Sequence, residues 1–162
     1  MTKSSPTAPR TKLWIGMSLV AVFLCMLLTV RVPRHPRLES QETSAINSLK
    51  YIYAVEIQYQ STYPAIGFAC SLHDLGGDPN QGPPTPASAQ LLQGDLPTGS
   101  KDGYLFKIAN CTKARVRDKD VITGYTITAV PQKAGHRGFC VDQSNELKID
   151  PSGGTNCTEY LK

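Results

Sequence analysis

The chain has 162 residues, of which 40% are hydrophobic and 19% are charged, and its formal net charge at pH 7 is +4. Six basic residues precede residue 39, and from Glu39 onward 11 lysines and arginines stand against 13 acidic residues, a net charge of −2. A protein that binds nucleic acid through a basic surface needs the opposite balance, so we expect no nucleic-acid partner. About 120 residues suffice for one modest core and not for two.

An uninterrupted apolar run extends from Leu13 to Val30 (LWIGMSLVAVFLCMLLTV). As a helix it would reach roughly 27 Å, close to the ~30 Å hydrocarbon thickness of a bilayer. The sequence therefore predicts a short tail (1–12), a single membrane anchor (13–30) and a larger outer part. Four residues mark the predicted anchor: Leu13 and Trp14 at its start, Phe23 near its middle and Val30 at its end.

A cleaved signal peptide is the alternative, since Lys3, Arg10 and Lys12 supply a basic leader. The apolar run exceeds the usual length of such a segment, and no Ala-x-Ala-like site follows Val30. A lipoprotein would need small residues before Cys25, where Val, Phe and Leu stand instead. We expect the anchor to be retained.

Four cysteines lie in the outer part: Cys70, Cys111, Cys140 and Cys157. An even number in a small domain predicts two disulfides and an oxidising, extracytoplasmic location, with the tail in the cytoplasm. Free or metal-bound thiols are the alternative, but no Cys-x-x-Cys pair is present. Three pairings of four cysteines are possible on these grounds alone.

Prolines in the segment 31–39 predict an extended spacer after the anchor. From Ser40 to about Tyr59, a stripe at helical spacing predicts a long helix with one buried face: Ala45, Leu49, Ile52, Tyr53, Glu56 and Tyr59. Gly76 to Pro86 is typical of an irregular loop, and Thr85 with Pro86 predicts a further short helix that carries Leu91 and Leu92.

Apolar and polar residues alternate in the second half, which predicts strands over Tyr104–Ala109, Tyr125–Val130, Gly138–Asp142 and Glu146–Ile149. The basic cluster of Lys113, Arg115, Arg117 and Lys119 is interleaved with two aspartates and predicts a solvated hairpin loop. The expected fold class is α+β: an N-terminal transmembrane helix, then a domain over 40–162 with a long helix packed on an antiparallel sheet of about four strands.

Three segments resemble the type IV pilins and type II secretion pseudopilins: Glu42–Cys70, Leu91–Phe106 and Gly124–Ile149. The resemblance implies a pilin-like domain and, as partners, a membrane and other pilin-like or secretion-apparatus subunits. It also implies that Cys140 and Cys157 close a C-terminal loop. Cys70 and Cys111 would then tie the segment after the helix to the sheet.

The chain departs from the prepilin pattern at its N-terminal side. Gly16 lies inside the apolar run, and the fifth residue after it is Ala21, where a prepilin has Glu. A recognisable prepilin cleavage motif is therefore lacking. Pro33 and Pro36 also interrupt what would be one continuous helix in a pilin.

Catalytic groups are not evident, because His35, His73 and His136 lack a nucleophile or metal partner by spacing. We therefore expect no enzyme, no catalytic residue and no cofactor. Pseudopilins can carry calcium in their C-terminal loops, and six residues here offer oxygen ligands, but no calcium-loop spacing is present, so we expect no metal: Asp142, Asn145, Glu146, Asp150, Asn156 and Glu159.

The leading hypothesis is a non-catalytic, membrane-anchored pilin-like subunit or assembly scaffold of a bacterial pilus or secretion apparatus. It would be a single-pass protein of the inner membrane with its C-terminal domain in the periplasm or outside the cell. The alternative is an envelope receptor or adhesion module with a non-polymerising pilin-like head. That alternative predicts recognition through Gly76–Pro86 or Ala134–Gly138.

Overall fold

A computed structural model describes residues 36–161, with side chains from residue 40 onward. The contacts divide the chain into residues 1–35 and a compact unit of residues 36–162. The predicted tail, the anchor with Leu13, Trp14, Phe23 and Val30, and most of the spacer thus lie outside the described residues. Within the described part, no helix combines the length and the apolar character that crossing a membrane requires.

Helix α1 covers Pro36–Thr62. A proline is tolerated at its first position because the first N–H groups of a helix have no partner within the helix. The helix ends two residues before Pro64, since the residue that precedes a proline is disfavoured in helical conformation. Its inward face is buried: Ala45, Ser48, Leu49, Ile52, Val55, Glu56 and Tyr59.

The chain between α1 and the sheet is mostly irregular. The predicted short helix after Pro86 is wrong, because Thr85 and Ser88 pair through their backbones instead. The N–H groups of Leu91 and Leu92 then both donate to the carbonyl oxygen of Leu75, which ties this segment to the residues around Leu75. The helical turns in this region are α2 and two 3₁₀ turns: Leu72–Leu75, Pro79–Gln81 and Leu96–Thr98.

Six strands form one antiparallel sheet in which neighbours in sequence are neighbours in space. Their bounds are Ser100–Lys101 (β1), Tyr104–Val116 (β2), Lys119–Pro131 (β3), Gly138–Asp142 (β4), Leu147–Asp150 (β5) and Glu159–Tyr160 (β6).

The expected fold class, α+β with a long helix on an antiparallel sheet of about four strands, is wrong, and the N-terminal membrane helix of that prediction lies outside the described residues. The described residues contain one helix of seven or more residues and a six-stranded sheet, so the architecture is mostly β. Strands β1 and β6 have two residues each, too few for an alternating pattern to show in the sequence. Strands β2 and β3 have 13 residues each because pairing continues into exposed polar sequence.

The core lies where α1 contacts β3 and β4. On the sheet, the residues that alternate inward are buried, as their spacing predicts: Tyr104, Phe106, Ile108, Tyr125, Ile127 and Ala129. The ring of Phe68, after α1, stands edge-on to Tyr125 with 4.8 Å between ring centroids. The helix and the segment that follows it therefore cover one face of the same sheet.

Candidate functional site

Two disulfides cross-link the domain, which confirms the expectation of disulfide bonds. Cys70 is bonded to Cys111, and Cys140 is bonded to Cys157. The first bond joins the segment after α1 to β2, and the second joins β4 to the segment before β6. These are the pairs that the resemblance to pilins implies.

Removing the first disulfide is expected to destabilise the domain more than removing the second. Its cysteines are 41 residues apart in sequence, against 17 for the other pair. Chain entropy then gives losses of about 4 kcal/mol for Cys70→Ser with Cys111→Ser, and about 3 kcal/mol for Cys140→Ser with Cys157→Ser. Urea denaturation of both double variants checks this order, and a loss below about 1 kcal/mol for the first would contradict it.

The C-terminal loop between the second pair of cysteines folds around Asp150. Its Oδ1 accepts from the backbone N–H and the hydroxyl of Ser152, and its Oδ2 accepts from the N–H of Asn156. These hydrogen bonds lower the pKa of Asp150 below its usual value, and the bond from the Ser152 hydroxyl has the largest effect. The carboxylate thus organises the chain that leads to Cys157.

The six residues that offer oxygen ligands for calcium are not arranged around one point in the described structure. Asp142 Oδ1 accepts hydrogen bonds from Ser144, while Glu146 Oε2 lies 3.2 Å from Lys148 Nζ. Within residues 36–161, no three His, Cys, Asp or Glu residues are grouped as metal ligands. Asn145 forms the β4–β5 turn, and Glu159 lies on β6, where it pairs with Ile149.

Glu42 on α1 and Arg137, just before β4, form a bidentate ion pair that the sequence did not reveal. Arg137 Nη2 and Nε donate to Glu42 Oε2 at 2.7 and 3.0 Å, and the Arg137 N–H donates to Oε1 at 3.0 Å. Burial alone would raise the pKa of Glu42, but the hydrogen bonds and charge of Arg137 lower it below its usual value. The pair fastens the N-terminal half of α1 to the sheet.

Glu42→Gln is expected to lower the free energy of unfolding at pH 7 by about 1–3 kcal/mol, because it removes one charge of a half-buried pair. Since the native pKa is lowered, this contribution is present above the unfolded-state pKa and is lost as pH falls through the native pKa. Denaturation at pH 7 and pH 3 measures the difference. The control is Glu146→Gln in an exposed pair with Lys148, which should change little at either pH.

Glu56 is a carboxyl group inside the core. Its side chain is 0% exposed, Oε2 accepts from the Ala69 N–H at 2.9 Å, and Oε1 has no hydrogen-bond partner in the described structure. Burial raises the pKa of Glu56 to about 8, and the charge of Asp74 adds to that effect. The Tyr125 hydroxyl is likewise buried without a partner, and burial raises its pKa. The sequence placed Glu56 on the stripe predicted to be buried. An acidic residue on such a stripe was the one sign in the sequence of a carboxyl group inside the core.

The histidines do not assemble an acid–base site in the described residues. His73 is exposed, and its Nδ1 lies 3.9 Å from Asp74 Oδ1. His136 is buried, with its ring 6.1 Å from that of Tyr104 and its Nδ1 without a partner. Truncation of the buried His136 side chain would leave a cavity whether or not the imidazole has a chemical role. His35 lies outside the described residues.

The tip of the β2–β3 hairpin forms an open cleft against the segment that follows α1. We call it the tip cleft. Its volume is about 340 Å³, and its lining combines four apolar residues with two cations: Pro64, Ala65, Val116, Val121, Arg117 and Lys119. The predicted hairpin loop is in fact a two-residue turn, Arg117–Asp118, between strands that continue to it. The geometry can bind an apolar group next to an anion.

No known protein-family model, curated protein sequence or solved structure matches this chain. The resemblance to pilins and pseudopilins therefore stays a prediction from the sequence.

Proposed function

We propose that the chain is a non-catalytic, pilin-like structural subunit or assembly scaffold of a bacterial pilus or secretion apparatus. The apolar segment Leu13–Val30 would hold it in the inner membrane with residues 36–162 in the periplasm or outside the cell. One observation carries the proposal: a 27-residue helix covers a sheet whose C-terminal loop is closed by the Cys140–Cys157 disulfide. A long helix that precedes the sheet and a C-terminal loop closed by a disulfide are the two features on which the resemblance to pilins rests.

The disulfides and the Glu42–Arg137 pair support a structural role for the domain. The Cys70–Cys111 bond ties the segment after α1 to β2, the Cys140–Cys157 bond ties β4 to the segment before β6, and the ion pair ties α1 to the start of β4. Cross-links of this kind oppose unfolding without supplying any reacting group. A domain cross-linked in this way suits a subunit that contacts neighbouring subunits in an assembly.

The alternative function, an envelope receptor or adhesion head, is favoured by the loop from Gly76 to Pro86. Its residues from 77 to 86 are exposed, yet Gln90 Nε2 donates to the carbonyl oxygens of Asp78 and Gly82 and so orders the loop. An ordered, exposed loop can recognise a ligand.

Deleting the gene in the bacterium of origin tests the proposal. We expect loss of surface pili or of a secreted protein, restored by the wild-type gene. Restoration should also follow when residues 79–86 are replaced by a Gly-Ser segment of equal length. Unchanged pili and secretion in the deletion strain would contradict the proposal, and failure of only the loop variant would favour the receptor.

A further inference from the structure

We infer that the Cys70–Cys111 disulfide is a site of thiol–disulfide exchange, at which an external dithiol attacks Cys70 and releases Cys111. The Cys140–Cys157 disulfide takes no part and stays a structural cross-link. This inference goes beyond the proposed function, because it assigns different chemistry to the two bonds. It is carried by the exposure of Cys70, by an open pocket beside it and by a cation in that pocket.

The two disulfides differ in their access to solvent. Cys70 is exposed, and Cys111 is partly buried against the core. In the other bond Cys157 is partly buried, while Cys140 is only 6% exposed and its Sγ lies 3.7 Å from the carbonyl oxygen of Thr155. The rate of exchange depends on whether a thiolate can reach a sulfur of the bond, so the bond with the exposed cysteine should react first.

An open pocket of about 250 Å³ lies beside the first disulfide. Its walls are the segment 70–73, residues 97–99 and residues 106–108 of β2. Cys70 is among the lining residues, and Cys111 is not. A thiolate that enters the pocket therefore approaches the bond from Cys70, which makes Cys111 the leaving group.

A cation in the pocket favours the reacting form of the thiol. Lys107 lines the pocket, and its ammonium group makes no ion pair with any residue that the structure describes. Among the described residues that line the pocket, none is acidic. Because the attacking group and the leaving group are both thiolates, a neighbouring ammonium group stabilises each of them.

The exchange takes two steps and needs no reactant besides the dithiol. One thiolate of the dithiol bonds to Cys70 Sγ as the bond to Cys111 breaks, and Cys111 leaves as a thiolate that takes a proton from water. The second thiolate of the dithiol then attacks the dithiol's own sulfur in the mixed disulfide, and Cys70 leaves in the same way. The chain gains two electrons and two protons, and the dithiol becomes a disulfide.

The segment after α1 keeps other contacts to its surroundings when the bond opens. The Phe68 N–H donates to the carbonyl oxygen of Ile122 at 3.1 Å, and the Ile122 N–H donates to that of Ile66 at 2.8 Å. The Ala69 N–H donates to Glu56 Oε2 at 2.9 Å. These hydrogen bonds hold the segment beside the sheet, so the reduced chain can form the bond again.

Reduction of the native full chain in detergent tests the inference. The protein is incubated with dithiothreitol or with reduced thioredoxin, and samples taken over time are alkylated and mapped by peptide mass spectrometry. We expect Cys70 and Cys111 to become alkylated roughly tenfold faster than Cys140 and Cys157. A thioredoxin variant that lacks its second active-site cysteine should be trapped on Cys70. Equal rates at the two bonds, faster opening of the second bond or capture on Cys111 would overturn the inference.

A charge variant provides the second arm. Lys107→Glu should lower the rate of opening of the Cys70–Cys111 bond by roughly threefold, because it replaces the cation of the pocket with an anion that repels a thiolate. The matched control is Lys113→Glu, at an exposed position of the same strand outside the pocket lining, which should leave the rate unchanged. Thermal melts of both variants check that their stability is equal. Rates that are the same for both variants would overturn the inference, and reaction with dithiothreitol but not with thioredoxin would assign the site to small dithiols.

Discussion

Leu49→Ala is expected to lower the free energy of unfolding by about 2–5 kcal/mol. Leu49 is 0% exposed and belongs to the core in which α1 faces the sheet, together with Tyr104, Tyr125 and Ile127. Removing three carbon atoms there loses burial and leaves a cavity that the closely packed surroundings fill only in part. Urea denaturation measures the change, which is a large share of the ~5–15 kcal/mol typical of a domain.

Ile57→Ala is the matched control for the Leu49 variant. Ile57 lies on the same helix but is 38% exposed, so its truncation should cost well under half as much. Equal losses at the two positions would contradict the assignment of the buried face of α1.

Glu56→Gln is expected to flatten the pH dependence of stability. The native pKa is raised to about 8, so the wild-type protein keeps a proton that the unfolded chain releases near pH 4.5. Stability is therefore full below the unfolded-state pKa and is lost as pH rises through the native one, by up to about 1.4 kcal/mol per pH unit. Unfolding free energies at half-unit steps from pH 4 to pH 9 measure this slope.

Glutamine at position 56 retains an oxygen for the Ala69 N–H without a titrating group. The two proteins should agree near pH 4.5, and the variant should be the more stable one at pH 8 and above. Glu146→Gln, at an exposed position, should keep the wild-type profile. A variant at position 56 that follows the wild-type profile over the whole range would show that Glu56 does not titrate as its burial requires.

The hydrophobic periodicity of the sequence predicted the elements that have a regular buried face. The stripe on α1 and the alternation around Tyr104 and Tyr125 come from burial, which the hydrophobic pattern records directly. The two-residue strands β1 and β6 leave no period to detect, and the exposed halves of β2 and β3 pair through backbone atoms that the pattern does not record. The error at Thr85 has a similar cause, because a bridge to Ser88 replaced helix capping.

The candidate surfaces were less accessible to prediction than the fold. Glu42 and Arg137 are 95 residues apart, and only the folded chain brings them together. The basic cluster was visible in the sequence, but the register of the hairpin decides that Lys119 joins Val116 while Arg115 joins Asp120. Without that register the cluster is simply a solvated loop.

The proposed role as an assembly subunit is tested most directly by quantitative mass spectrometry of pili and detergent-extracted secretion complexes, purified from the bacterium of origin. The full chain should co-purify with these assemblies at a fixed ratio to the other subunits. Recovery of the wild-type chain only as a free monomer, separate from both assemblies, would contradict the proposed function.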